Sequence, residues 1–97
     1  SQGILEKISK LDYMVAMRFH AVLIAIKYGI KTLAISYDIK VEKLAEDAQI
    51  PCVSMNADED YDALFTQLKN LDENKLVEFS KTNHFDWSKI EKIVKNN

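Results

Sequence analysis

Two short polar clusters carry side chains that could bind an anion. Arg18 and His20 follow one apolar run, and Lys40 follows the next apolar run along the chain. Arginine offers a planar fork that suits phosphate or carboxylate, lysine offers a point charge, and an imidazole can give or take a proton near neutral pH. Together these residue types favour a small ligand with several negative charges.

Apolar runs and helical periodicities alternate along the chain in a way that predicts an α/β fold. Residues 13–17 and 32–37 predict two strands, and the second is continuously apolar, as in a parallel sheet covered by helices on both faces. Between them, residues 19–28 predict a helix that is apolar on almost every side and ends at Gly29. Such a helix has to be buried.

The remainder of the chain predicts a third strand and further helices. Asp38 can accept hydrogen bonds from the first amides of a helix that ends before Pro51. Residues 52–55 predict a strand, and residues 58–60 place acidic side chains at the start of a helix. Helices are also expected over residues 4–11 and from residue 72 onward, the latter with a break at 82–84. The apolar positions whose helical spacing predicts these helices are Val41, Leu44, Ala45, Ala48, Tyr61, Leu64, Phe65, Leu68, Ile90, Ile93 and Val94.

This order of elements predicts a Rossmann-like three-layer parallel sheet. In such sheets ligands bind beyond the carboxyl ends of the strands, where helix N-termini present free amides to anions. If the first two strands are neighbours, Arg18, His20 and Lys40 are expected to converge on one crevice beside two helix N-termini.

Composition narrows the classes of partner. The chain has 97 residues, with 13 Lys and Arg against 15 Asp and Glu and a net charge of -2. No basic block is long enough to follow a phosphate backbone, so we expect no nucleic-acid partner. Charged residues interrupt the apolar runs well before the roughly 20 residues that a membrane helix needs. We therefore expect no transmembrane segment, no signal peptide and a cytoplasmic location.

Other polar residues have simpler explanations. Asp38 suits an N-cap better than a catalytic base, and Cys52, the single cysteine, is expected to be a buried thiol. His84 lies in an aromatic turn with Phe85 and Trp87, where packing is the expected role. Because a lone histidine without close cysteine, histidine or paired carboxylates is a poor metal site, we expect neither a metal nor a cofactor.

The two polar clusters belong to a longer pattern. Residues 12–41 contain Asp-Tyr-Met-Val-Ala-Met-Arg-Phe-His-Ala and then Ala-Ile-Ser-Tyr-Asp-Ile-Lys-Val. This pattern resembles the C-terminal signature of the polysaccharide pyruvyl transferase family, which usually shows Arg-Leu-His-Ala after one strand and Tyr-Asp-Pro-Lys-Val after the next. Phe19 replaces the family's Leu and Ile39 replaces its Pro, two apolar exchanges. Lys31 stands where the family tends to have Pro, a change that we expect to be structural.

The resemblance implies a two-lobed fold like that of the GT-B glycosyltransferases, with residues 1–97 forming a single partial domain of the C-terminal lobe. It implies transfer of the enolpyruvyl group of phosphoenolpyruvate onto sugar hydroxyls of a polysaccharide, giving a pyruvate ketal and free phosphate. His20 is then the catalytic candidate, and Arg18 and Lys40 are expected to bind the donor. The acceptor is expected to be a sugar or lipid-linked glycan. Its site and at least part of the donor site are expected on the missing N-terminal lobe, so this fragment alone is expected to be inactive.

Two alternatives stay open at the level of the sequence. A GT-B glycosyltransferase lobe that uses a nucleotide sugar would need a carboxylate for the ribose hydroxyls, and Glu42 or Glu46 could supply it. A non-catalytic Rossmann-like interaction domain would instead leave Arg18, His20 and Lys40 scattered. The paired motifs favour the pyruvyl transferases over both.

Overall fold

In the described part of the chain, strands and helices alternate and are followed by three consecutive helices. The computed structural model describes residues 12–54 and 58–95. The strands pair in parallel in the order β1-β2-β3, so the predicted α/β class is confirmed, in a form compatible with a Rossmann-like fold. The helix expected over residues 4–11 lies outside the described residues, as does Met55. The elements in chain order are β1 (Tyr13–Ala16), α1 (Phe19–Lys27), β2 (Lys31–Ser36), α2 (Ile39–Ala48), β3 (Cys52–Ser54), α3 (Tyr61–Lys69), α4 (Glu73–Thr82) and α5 (Trp87–Lys95).

Helix α1 is the centre of the core, as its sequence predicts. Five consecutive residues from Val22 to Ile26 are buried. The reason is that α1 packs against β1 and β2 on one side and against α2, α4 and α5 on its others. A helix surrounded in this way has no face left for water, so an all-round apolar sequence is what its position requires.

The end of α1 depends on Gly29. Its φ of 69° lies in the left-handed region, and the amides of Gly29 and Ile30 donate to the carbonyls of Ile26 and Ala25. This pair of bonds satisfies two carbonyls at the helix end. A Cβ at this position would also lie 2.9 Å from Val77 Cγ2 in α4. Both the backbone angle and the close approach of α4 therefore require glycine.

Helix α2 is amphipathic and lies between β2 and β3. Val41, Leu44 and Ala45 are buried, and Ala48 packs partly against the same core, which confirms the predicted face. Its end repeats the geometry of α1 with Gln49 in the left-handed conformation at φ 59°. The helix stops before Pro51, as predicted.

Helices lie on both faces of the sheet, but they cover the two faces unequally. Ala16 and Ala34 belong to the core cluster with α1 and α2. Tyr13 and Lys31 are paired across β1 and β2 and face the other way, where Lys31 Nζ donates to the carbonyl of Lys69 in α3 at 2.8 Å. Tyr13 is nonetheless 49% exposed. The second face is therefore only partly covered by α3.

Helix α3 begins as predicted but buries less than its pattern indicates. Asp60 Oδ1 accepts from the amide of Ala63 at 3.1 Å, which confirms an acidic helix start. Leu68 is buried, whereas Tyr61 and Phe65 are exposed. Tyr61 and Phe65 therefore do not join Leu68 in a buried face, although they share its helical spacing.

The last two helices pack on α1 and are separated by a break at the predicted place. Asn83 ends α4 in an extended conformation, and α5 begins at Trp87. Leu76 of α4 and Ile90 and Val94 of α5 are buried against the core. Lys27 of α1 forms an ion pair with Glu91, which ties α5 to the end of the central helix. Across the described ranges, no helix has the length and apolar character that would be required to cross a membrane.

Candidate functional site

Two strand-to-helix turns meet at one edge of the sheet. Strands β1 and β2 are neighbours, with Ala16 level with Ala34, so β1 ends two residues before β2 in register. The turn after β1 carries Arg18 and leads into α1, and the turn after β2 carries Asp38 and leads into α2. The neighbouring strands that the site required are therefore present.

The turn after β2 is built around Asp38. Its Oδ1 accepts from the amides of Lys40 at 2.9 Å and Val41 at 3.2 Å, and its carbonyl oxygen accepts from Ser36 Oγ at 2.6 Å. Asp38 is thus the N-cap of α2, as predicted. Ile39 takes the first helical position. Proline is common there because the backbone N–H of that residue has no acceptor within the helix. Ile in place of the family's Pro therefore leaves the helix start intact.

The turn after β1 has no equivalent cap. Arg18 holds the N-cap position of α1 in an extended conformation, and its side chain makes no capping hydrogen bond. The first turn also contains no acidic residue. Phe19 and His20 follow, with their rings edge to face and centroids 5.6 Å apart. The start of α1 can therefore accept an anion, whereas Asp38 already accepts from two amides of α2. Of the two helix N-termini that the sequence predicted to be open to a ligand, one remains open.

His20 and Lys40 line the same pocket, which has a volume of about 540 Å³. Arg18 does not line it, although it stands two residues before His20 at the exposed start of α1. The structure thus brings two of the three predicted site residues together. The further lining residues are Phe19, Lys43, Leu44, Asp47, Phe79, Asn83 and Phe85.

Several lining residues were missed by sequence reasoning. Lys43 and Asp47 lie three and seven positions after Lys40, so helical spacing alone could have placed them on the same side of α2. Phe79, Asn83 and Phe85 come from α4 and the loop after it, far away in sequence. No local pattern links them to the motif, because their position depends on how α4 packs against α1.

The chain was compared with protein families, curated proteins and solved structures. Residues 1–39 match the family model described as Polysaccharide pyruvyl transferase. The resemblance to this family is confirmed over that stretch. No curated protein and no solved structure matched.

The family match coincides with one side of the pocket. Arg18 and His20 lie within the matched residues, and Lys40 is the first residue after them. The polysaccharide pyruvyl transferase family is a family of transferases, and its name specifies pyruvyl transfer and a polysaccharide. The matched segment therefore contains the β1–α1 turn, β2 and the cap of α2.

Other candidate groups of the sequence lie elsewhere. Glu42 and Glu46, the carboxylates that a nucleotide-sugar site would use, are exposed on α2 and do not line the pocket. Cys52 is half-buried, less than the buried thiol that was expected. This partial burial raises the pKa of its thiol, and the Glu42 and Glu59 carboxylates add to the shift, so the thiol stays protonated and is a poor nucleophile. The described residues contain no group of three histidine, cysteine or acidic side chains placed to hold a metal.

Proposed function

We propose that this chain forms part of an enzyme that transfers the enolpyruvyl group of phosphoenolpyruvate to sugar hydroxyls of a polysaccharide, giving a pyruvate ketal. The observation that carries the proposal is that His20 and Lys40 line one pocket and lie within or directly beside the matched family segment. An imidazole and an ammonium beside an uncapped helix start suit a donor with a phosphate and a carboxylate.

The donor is held by charge. Lys40 binds one anionic group of phosphoenolpyruvate as a point charge, and Arg18, two residues before His20, binds the second with its guanidinium fork. The first amides of α1 add partial positive charge at the same place. Nothing in this arrangement calls for a nucleotide base or a ribose.

His20 is proposed to move the proton. Protonation of the donor's methylene carbon forms a C–H bond with the electrons of the double bond and leaves an oxocarbenium-like centre at the adjacent carbon. A sugar hydroxyl attacks that carbon and gives its proton to the imidazole, which has just become neutral. Cleavage of the carbon–oxygen bond to phosphate regenerates the cation, and a second hydroxyl closes the ketal and gives its proton to the departing phosphate. The products are the ketal and inorganic phosphate.

The proposal includes a second lobe. The three parallel strands are compatible with one half of a GT-B-like enzyme, whose active site lies in the cleft between two Rossmann-like lobes. The other lobe would then contribute to donor and acceptor binding, with a sugar or lipid-linked glycan as the acceptor. On this basis the 97-residue chain alone is expected to lack activity.

Calorimetry on the intact enzyme tests the donor. We expect heat of binding with phosphoenolpyruvate and none with a nucleotide sugar. Lys40→Met keeps the aliphatic stem and removes the charge, so donor affinity should fall about tenfold to a hundredfold. Lys89→Met, the same change at an exposed position of α5, serves as the matched control and should leave affinity unchanged.

Three other binding results would contradict the proposal. Binding of a nucleotide sugar without binding of phosphoenolpyruvate would assign the lobe to a glycosyltransferase. Equal donor affinity in the two lysine variants would show that the pocket is not the donor site. Failure to bind either donor would favour a non-catalytic interaction domain.

A further inference from the structure

The pocket at His20 and Lys40 is larger and more aromatic than a three-carbon anion requires. Its volume of about 540 Å³ lies within the roughly 300–1,000 Å³ found for sites that enclose drug-sized ligands. The phenyl rings of Phe19, Phe79 and Phe85 line it. Phosphoenolpyruvate carries charged oxygens around a short frame, so it uses the cations but offers little apolar surface to these rings. A second ligand group with an apolar face could use this ring surface.

The aromatic part of the pocket is held in place by its neighbours. The rings of Phe79 and Phe85 have centroids 6.2 Å apart at an angle of 48°. Phe85 also packs edge to face with Trp87 at 5.3 Å, and all three side chains are partly buried against the core. Because the protein's own packing makes these contacts, the ring surface is formed in advance, which lowers the entropy cost of binding.

The polar groups beside these rings can accept and donate hydrogen bonds. Asn83 Nδ2 donates to the carbonyl of Phe79 at 2.9 Å, which fixes the amide and leaves Oδ1 to accept from a ligand. Asp47 adds a carboxylate to the same pocket, and Lys43 adds an ammonium. Sugar hydroxyls can bond to both groups, whose opposite charges offset each other. This part of the pocket therefore favours a neutral ligand rich in hydroxyl groups.

A pyranose ring has this combination of surfaces. Its C–H-bearing face is apolar and packs on the electron-rich face of a phenyl ring, while its hydroxyls point outward to acceptors. We propose that Phe79, Asn83 and Phe85 form a subsite for a sugar ring of the acceptor, next to the donor at His20 and Lys40. This inference rests on the proposed function and extends it, because it places part of the acceptor site on this lobe.

Sugar binding can be measured without the donor. Saturation-transfer NMR on the intact enzyme would use methyl glycosides of galactose, glucose and mannose as probes. We expect at least one glycoside to bind, and Asn83→Ala and Phe85→Leu to weaken it about tenfold. His84→Ala is the matched control, since His84 lies between the two in sequence but does not line this pocket. Its glycoside affinity should equal that of the wild type.

Donor titrations separate this inference from the proposed function. Asn83→Ala and Phe85→Leu should bind phosphoenolpyruvate with affinity within about twofold of the wild type, since neither carries charge. Unchanged glycoside binding in both folded variants, or absence of glycoside binding in the wild type, would overturn the subsite. Equal loss of donor affinity would assign the rings to the donor and also overturn it. Glycoside binding with this variant pattern but without phosphoenolpyruvate binding would retain the sugar site and reject pyruvyl transfer.

Discussion

The two strand-to-helix turns at the candidate site solve the same structural problem in different ways. At α2, the Asp38 carboxylate accepts from two backbone amides and places a negative charge at the helix start. At α1, Arg18 provides no cap and the first turn contains no acidic residue. The comparison indicates that the start of α2 is capped by its own side chain, whereas the start of α1 has no side-chain cap, as the proposed anion site requires.

Burial explains how α1 can do without a cap. Its residues from Val22 to Ile26 are enclosed by the sheet and by α4 and α5, and its end is closed by Gly29. Most helix stability in proteins comes from such packing. Helix α2 buries only one face and exposes several charged residues. A cap therefore contributes a larger share of the stability of α2 than of α1. The uncapped turn belongs to α1, the helix that depends least on a cap.

The largest expected effect concerns His20, which follows the uncapped turn. His20→Gln keeps hydrogen-bonding capacity but cannot carry a proton near neutral pH, so turnover of the intact enzyme should fall about 10²- to 10⁴-fold. Donor affinity should change much less. Steady-state kinetics with phosphoenolpyruvate and a glycan acceptor, together with calorimetry of the donor, separates the two quantities.

The same substitution at the second histidine provides the control. His84 is exposed in the loop before α5, and His84→Gln should leave turnover within about twofold of the wild type. A His20→Gln enzyme with normal turnover would show that the open turn of α1 has no part in proton transfer. An equal loss of turnover and of donor affinity would instead make His20 a binding residue.

Burial of α1 predicts the largest effect on stability. Leu23 is 1% exposed at the centre of the core. Leu23→Ala should therefore lower the free energy of unfolding by about 2–5 kcal/mol, since it removes buried methyl groups and leaves a cavity. Ile39→Ala, at the 75% exposed first position of α2, should cost less than about 0.5 kcal/mol.

Urea unfolding of both variants, followed by circular dichroism, gives the two free energies. Similar values would mean that α1 is no more buried than the start of α2. In that case burial could not replace the missing cap, and the contrast between the two turns would lose its physical basis.

Local patterns predicted the fold well where each element has its own signal. The all-apolar α1, the cap at Asp38 and the break before Trp87 are set by neighbouring residues, so the sequence alone was sufficient. Tyr61 and Phe65 have the spacing of a buried face but are exposed, because what covers a helix face is decided by elements distant in the chain.

The candidate site shows the same limit. His20 and Lys40 were predicted because each follows a strand, and parallel strands bring such turns together. Phe79, Asn83 and Phe85 were not predicted, since they reach the pocket only through the packing of α4 on α1. The motif identified one wall of the pocket, and tertiary packing supplied the other.

The smallest expected effect distinguishes the two turns most directly. Asp38→Ala removes the acceptor of two amide hydrogen bonds and should lower the free energy of unfolding by about 1 kcal/mol. Arg18→Ala occupies the equivalent position of α1 but removes no capping bond, so its cost should stay below about 0.5 kcal/mol. Asp38→Asn keeps a side-chain acceptor at the N-cap, so its free energy of unfolding should remain close to that of the wild type. This variant separates loss of the hydrogen bonds from loss of the charge. Urea unfolding measures all three. A cost of about 1 kcal/mol for Arg18→Ala as well would mean that Arg18 caps α1, and the amides of α1 would then no longer be available for an anion.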